Sequence, residues 1–300
     1  MSEAGNVGLY GKVATQPDFF RVGAGSFSQA GLDRWLQDGA EALRAERTQL
    51  PTTPTAFLLA SPGSTAFVGM LAASVDAAGR SFPLALFREI PGAGSCEALP
   101  SLPAAHAGFI EDATRLLSAG PSFDGETIAR EARALTVEAL ALPEPHAWKN
   151  EPVSVLEAAL GASRPAVAYA LSTMLGACDR AVAAAPTSAN ALTVDAPVTG
   201  PATGALWLEI ARRRLGWRDT VPSLLWTAGS QARLLITLGP PSPLALAFLA
   251  NPQHRSSRLW PLRTTVASAA DQAWATLTGP QRAAVEDPSA SFGDLAAAFG

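Results

Sequence analysis

The 300-residue sequence is poor in the residues from which most catalytic and metal centres are assembled. It has two cysteines, Cys96 and Cys178, far apart and in no CxxC spacing. That excludes a paired disulfide framework and fits a reducing compartment. Its three histidines, His106, His146 and His254, are scattered, with no HExxH or Cys/His ligand spacing. Each therefore reads as an ordinary surface or loop residue, and no metal is expected. Charge is scarce, at 16% of residues, and the net charge of −4 leaves no basic excess for nucleic acid. The apolar run Pro165–Cys178 is too short to span a bilayer, which takes about 20 residues. The opening Met1-Ser2-Glu3-Ala4-Gly5 has no basic segment followed by an apolar one, so no secretory leader is expected. Together these absences lead us to expect a cytoplasmic protein that neither enters a membrane nor binds nucleic acid.

Nucleotide signatures are also missing. Gly23-Ala24-Gly25-Ser26 resembles a phosphate loop but lacks the third glycine and any following Lys-Ser/Thr pair. It reads as an entry turn before a helix, and no cofactor is expected. No serine sits in a G-x-S-x-G elbow. A Ser-His-Asp arrangement assembled in space stays open, so a serine/histidine hydrolase is the enzymatic alternative.

What the chain has is apolar material, 48% of its residues. Val7–Lys12 reads as an edge strand or strand entry. Ser26 and Gln29 have capping-box spacing, and Leu32, Trp35, Leu36, Ala40 and Leu43 recur at helical spacing behind them. Three apolar stretches follow, Ala56–Ala60, Ala66–Val75 and Phe82–Phe87, separated by the turn-rich Ser61–Ser64 and Asp76–Arg80. They predict a meander of mostly buried strands. Helices are expected over Ala104–Leu117, Glu126–Leu142, Pro165–Ala185, Ala205–Leu215, Pro243–Ala250 and Thr264–Leu277. Ser223–Thr227 and Arg233–Leu238 predict a second hairpin, and Pro186–Gly204 a long exposed loop. The proline-rich stretch from Leu142 to Pro152 suggests a boundary between an N-terminal region, 1–143, and a C-terminal region, 152–300, or else one continuous domain. The fold class expected is α/β of the α+β type, with a mainly antiparallel central sheet layered with helices.

One hairpin holds an acid and a base around a small-residue turn. Asp76 can cap its own loop and Gly79 can take positive φ, which accounts for both without any function. Arg80 needs a further reason. Either it pairs with Asp18 or Asp76 and ties the N-terminal loop to the hairpin, or Lys12, Asp18, Asp76 and Arg80 form a polar recognition patch. Arg212–Arg214, joined by Arg218, reads as a helix terminus whose cations complement the dipole, with an acidic partner as the alternative.

Two segments in the first hundred residues carry a family resemblance, and a third follows later in the chain. VGLYGKVATQPDFFRVGAGSFSQAGLDRWLQDG, residues 7–39, resembles the opening of the TagF family, accessory proteins of the bacterial type VI secretion system. Tyr10, Gly11, Lys12, Asp18, Phe19, Phe27, Trp35 and Leu36 take the places of the family pattern. MLAASVDAAGRSFPLAL, residues 70–86, resembles the family's Ser-Val-Asp-x-x-Gly-Arg-x-Phe-Pro-Leu segment. SLLWTAGSQARLLITLGPPSP, residues 223–243, resembles a later stretch, with Trp226 kept and Thr227 in place of a second tryptophan. Pro17 stands where the family usually has glycine, which restricts the loop carrying Asp18. The resemblance implies a non-enzymatic, cytoplasmic, post-translational repressor of type VI secretion that binds a forkhead-associated-domain scaffold protein. A structural component of the secretion machine is a further alternative. The residues expected to bind a partner or to shape the family motif are Tyr10, Lys12, Asp18, Phe19, Trp35, Asp76, Gly79, Arg80 and Trp226.

Overall fold

The computed structural model describes residues 7–60, 65–90, 99–118, 124–135, 146–161, 163–217, 222–229, 232–264 and 266–300. Its strands are β1 Val7–Gly11, β2 Phe20–Val22, β3 Thr55–Ala60, β4 Ala66–Ala72, β5 Leu84–Ile90, β6 Leu192–Pro197, β7 Ser223–Trp226, β8 Arg233–Leu238 and β9 Leu259–Pro261. Among the described residues these nine form one sheet in the order β2-β1-β5-β4-β3-β7-β8-β6-β9. Every neighbouring pair is antiparallel except β6 and β9. The expected α/β class with a mainly antiparallel sheet is what the chain adopts.

Apolar side chains on both faces of a strand require a layer on each side of the sheet. In β4 all seven residues are buried. Leu58, Met70 and Leu86 face one layer, and their sequence neighbours Phe57, Leu71 and Phe87 face the other. The first layer contains buried residues of the helices Ala107–Ser118, Arg164–Ala184, Pro201–Arg214 and Phe292–Phe299. The second contains those of α1 Gly25–Gln29, α2 Leu32–Ala45 and the helix Leu244–Ala250. There Phe27 stacks on Phe87 with ring centroids 4.2 Å apart, a contact worth about 0.5–1.5 kcal/mol beyond burial. The N-terminal and C-terminal strands meet where β3 pairs with β7, Ala56 opposite Trp226 and Leu58 opposite Leu224.

The expected meander and second hairpin are present, and several other expectations are corrected. Residues 186–204 do not form a long exposed loop: they contain β6, which lies between β8 and β9. Its acidic member, Asp195, is neutralised by Arg233, which donates from Nε and Nη2 and also reaches the carbonyls of Phe248 and Leu249. β1 is not an edge strand, because the short β2 pairs outside it. Ser26 caps nothing; it lies inside α1, and α2 starts after Gly31 with no side-chain cap. Of the helix expected over Glu126–Leu142, Gly125–Ala134 is present, and residues 136–145 lie outside those described. No helix among the described residues is long and apolar enough to cross a membrane.

Candidate interaction site

The two motif segments meet at the end of β1. Gly11 has φ +147, and a Cβ there would collide with the Pro83 carbonyl, so only glycine lets the strand pass the start of β5. The next residue, Lys12, turns inward and is 8% exposed. Its Nζ donates to Asp76 Oδ2 at 2.5 Å, and the Asp76 side chain is wholly buried. The Asp76–Arg80 turn is built around the same carboxylate. Oδ1 accepts from the backbone N–H of Ala78 at 2.9 Å and of Arg80 at 2.8 Å. Gly79, at φ +77, closes the turn by donating to the Asp76 carbonyl at 2.9 Å. Arg80 Nε donates to Oδ2 at 2.7 Å, and its Nη2 donates to the Pro17 carbonyl at 2.5 Å. Ala77 N–H reaches the Gln16 carbonyl at 3.1 Å, and Ser74 Oγ reaches that of Lys12 at 2.8 Å. Hairpin and N-terminal loop are thus tied at four points. Burial by itself would raise the Asp76 pKa. The Lys12 hydrogen bond, with those from Arg80 and Ala78, outweighs it and holds the carboxyl well below the usual range.

An aromatic stack lies against this ion cluster. Tyr10 and Phe19 stack with centroids 5.5 Å apart, and Phe19 meets Phe82 edge-on at 4.8 Å. Lys12 Nζ sits 5.5 Å from the Phe19 centroid. Tyr10 is fully buried and its hydroxyl accepts from Gln37 Nε2 at 2.8 Å, joining β1 to α2. Phe19 is 36% exposed.

The structure therefore brings together Tyr10, Lys12, Phe19, Asp76, Gly79 and Arg80. It does not bring in Asp18. That side chain is exposed and makes no ion pair among the described residues, because Arg80 is already engaged by Asp76 and the Pro17 carbonyl. Trp35 is a core residue of α2, 6% exposed, and its indole N–H has no acceptor among the described residues. Trp226 ends β7, half-buried against the opposite layer.

The arginine run is held internally. Arg212 and Arg213 both pair with the buried Glu209, at 2.7 and 2.6 Å, and Arg214 pairs with Asp179 at 2.6 Å. Burial raises the Glu209 pKa, but the hydrogen bonds of Arg212 and Arg213 prevail and lower it overall. Arg218 lies outside the described residues.

Sequence reasoning missed a second buried polar pair. Arg88 on β5, 4% exposed, donates from Nη2 to His106 Nδ1 and lies over the Phe109 ring at 4.8 Å. No carboxylate pairs with it among the described residues. Burial, and then the Arg88 charge, push the His106 pKa down to about 4. The imidazole is therefore neutral near pH 7, with its proton on Nε2. Only an arginine inside an otherwise apolar strand could have hinted at this. His254 Nδ1 is 3.6 Å from Glu46 Oε2, and His146 precedes the short turn Ala147–Asn150. Among the described residues no histidine hydrogen-bonds a serine, and no three His, Cys, Asp or Glu side chains are grouped to hold a metal. Cys178 is buried, which pushes its thiol up to about 12.

Residues 8–135 match the family model of the TagF N-terminal domain, type VI secretion system-associated. No curated protein matches the chain significantly. A solved structure, PA0076 from Pseudomonas aeruginosa PAO1, is similar at 21% identity and a TM-score of 0.49, over 85% of this chain and 99% of its own. The segment 8–135 holds both motif stretches and every residue of the Lys12–Asp76–Arg80 cluster. That segment, a little under half of the chain, is similar to the N-terminal domain of the TagF family, which is described as type VI secretion system-associated.

Proposed function

We propose that this chain is a cytoplasmic, post-translational repressor of type VI secretion that acts by protein binding rather than catalysis, through a forkhead-associated-domain scaffold of the secretion system. The observation that carries this reading is the TagF N-terminal domain over residues 8–135. The way its two motif segments tie a loop and a hairpin into one corner supports it. Such a corner presents Phe19 and the outer face of Arg80 to solvent.

The test is export of the type VI tube protein from cells lacking the chain and from cells overproducing it. A repressor gives more export on deletion and less on overproduction. Export that vanishes on deletion would make the chain a required assembly component. Unchanged export in both strains would return the hydrolase alternative to first place.

A further inference from the structure

Next to the ion cluster, the end of α2 and the Asp76–Arg80 hairpin enclose a cavity of about 460 Å³, a size that suits one or two side chains. Its apolar lining includes Leu43, Leu50, Val75 and Phe82, and its cationic lining is Arg44 and Arg47. Among the described residues no acidic side chain lines it. We propose that this cavity docks a segment of a partner protein in which an apolar side chain is flanked by carboxylates. The proposal rests on the reading that the chain works by protein binding, and it names the surface and the chemistry recognised.

Three features point to such an occupant. The first is charge. Among the described residues Arg47 makes no side-chain hydrogen bond or ion pair, and Arg44 has only the solvent-exposed Glu41 at 3.9 Å besides its own helix carbonyl. Both guanidinium groups therefore remain open to an incoming carboxylate, for which arginine offers paired donors. The carbonyls beneath them are already satisfied: Ala42 by Glu46, Leu43 by Thr48 and Arg44 by Arg47.

The second is conformation. Arg47 has φ +52, one of two non-glycine residues in the left-handed region among those described. Helices commonly place glycine at this position. An arginine held there is strained, and its side chain, which lines the cavity, gains no hydrogen bond or ion pair among the described residues to offset that.

The third is exposure. Among the described residues the exposed large hydrophobics are Phe19, Val75, Val182 and Val266. Two of them belong to this corner. Val75 lines the cavity, and Phe19 packs on its lining residue Phe82. Apolar area gathered beside cations is what a mixed apolar and acidic segment would cover.

The test uses fluorescein-labelled Glu-Glu-Phe-Glu-Glu, titrated with the full chain and followed by anisotropy. Saturable binding is expected. It should weaken about tenfold or more with Gln-Gln-Phe-Gln-Gln, with Glu-Glu-Ala-Glu-Glu, in high salt, and with Arg44→Glu plus Arg47→Glu. Arg47→Gly serves as the folding control: it should raise the melting temperature by relieving the left-handed residue, while still weakening the peptide. No saturation, or binding indifferent to these substitutions, overturns the proposal. So does a dimer that the double substitution turns into a monomer, which would assign the cavity to a second copy. The forkhead-associated scaffold is titrated in parallel. Scaffold binding that survives the double substitution removes the cavity proposal and leaves the repressor reading standing. Peptide binding with no scaffold binding does the reverse.

Discussion

Lys12 Nζ lies 2.5 Å from Asp76 Oδ2 across 64 positions of sequence, and the carboxylate it neutralises is fully buried. This is the most buried of the four contacts that join the two motif segments. Arg80 adds to it from the solvent side, with 59% of its side chain exposed.

The difference in burial sets the expected order of two substitutions. Lys12→Ala leaves a buried carboxylate with only a solvent-screened partner, so its melting temperature should fall by several degrees. Arg80→Ala removes a partner that water can replace and should cost clearly less. Thermal melts of both variants decide it, and an equal or larger loss for Arg80→Ala would contradict the ranking. The acid limb offers a second check. Because the native Asp76 carboxyl lies below its ordinary value of about 4, its contribution is complete above that pH and is lost as pH falls further. Asp76→Asn should flatten that limb.

The buried His106 acts in a different pH window. Unfolded, it takes up a proton near 6.5; folded, burial and Arg88 delay uptake until about 4. The unfolded state therefore binds more protons between these values. Stability should be level above pH 6.5 and decline towards pH 4, by up to about 1.4 kcal/mol per pH unit. His106→Gln keeps an acceptor for Arg88 and does not titrate. Urea denaturation at pH 7 and pH 4.5 should show a smaller difference for that variant, and equal differences would rule out the histidine as the source.

Glu209 predicts what the arginine run is for. Removing both of its partners, by Arg212→Ser with Arg213→Ser, strands a buried carboxylate and should cost about 3–5 kcal/mol. Adding Glu209→Gln should recover part of the loss. Arg214→Ser breaks a half-exposed pair and should cost at most about 1 kcal/mol. Denaturation at neutral pH distinguishes these. An unchanged double variant with weakened binding to an acidic protein would instead favour a partner role for the run.

Much of the architecture was legible one segment at a time. Leu32, Trp35, Leu36, Ala40 and Leu43 could share a face only as a helix, and β3, β4 and β5 could be uniformly apolar only as strands covered on both sides. The Asp76–Gly79 turn followed from an aspartate that caps its own loop and a glycine free to take positive φ. Local signals also misled. Ser26 and Gln29 have capping spacing yet cap nothing, whereas the true boxes, Thr278 with Gln281 and Ser291 with Asp294, went unread. Their signature was present, but nothing in one sequence says which of several such spacings precedes a helix with a buried face. β6 was hidden in a stretch poor in charge and rich in alanine, threonine and proline; Arg233, 38 positions away, is what neutralises the partly buried Asp195 within it. The same reason separates the rest. Periodicity and turn chemistry are properties of neighbouring residues, and the sequence by itself determined those. Which charge meets Asp76, which arginine is left without an acid, and that Arg44, Arg47 and Val75 share one cavity depend on distances between remote segments. Only the tertiary structure decided them.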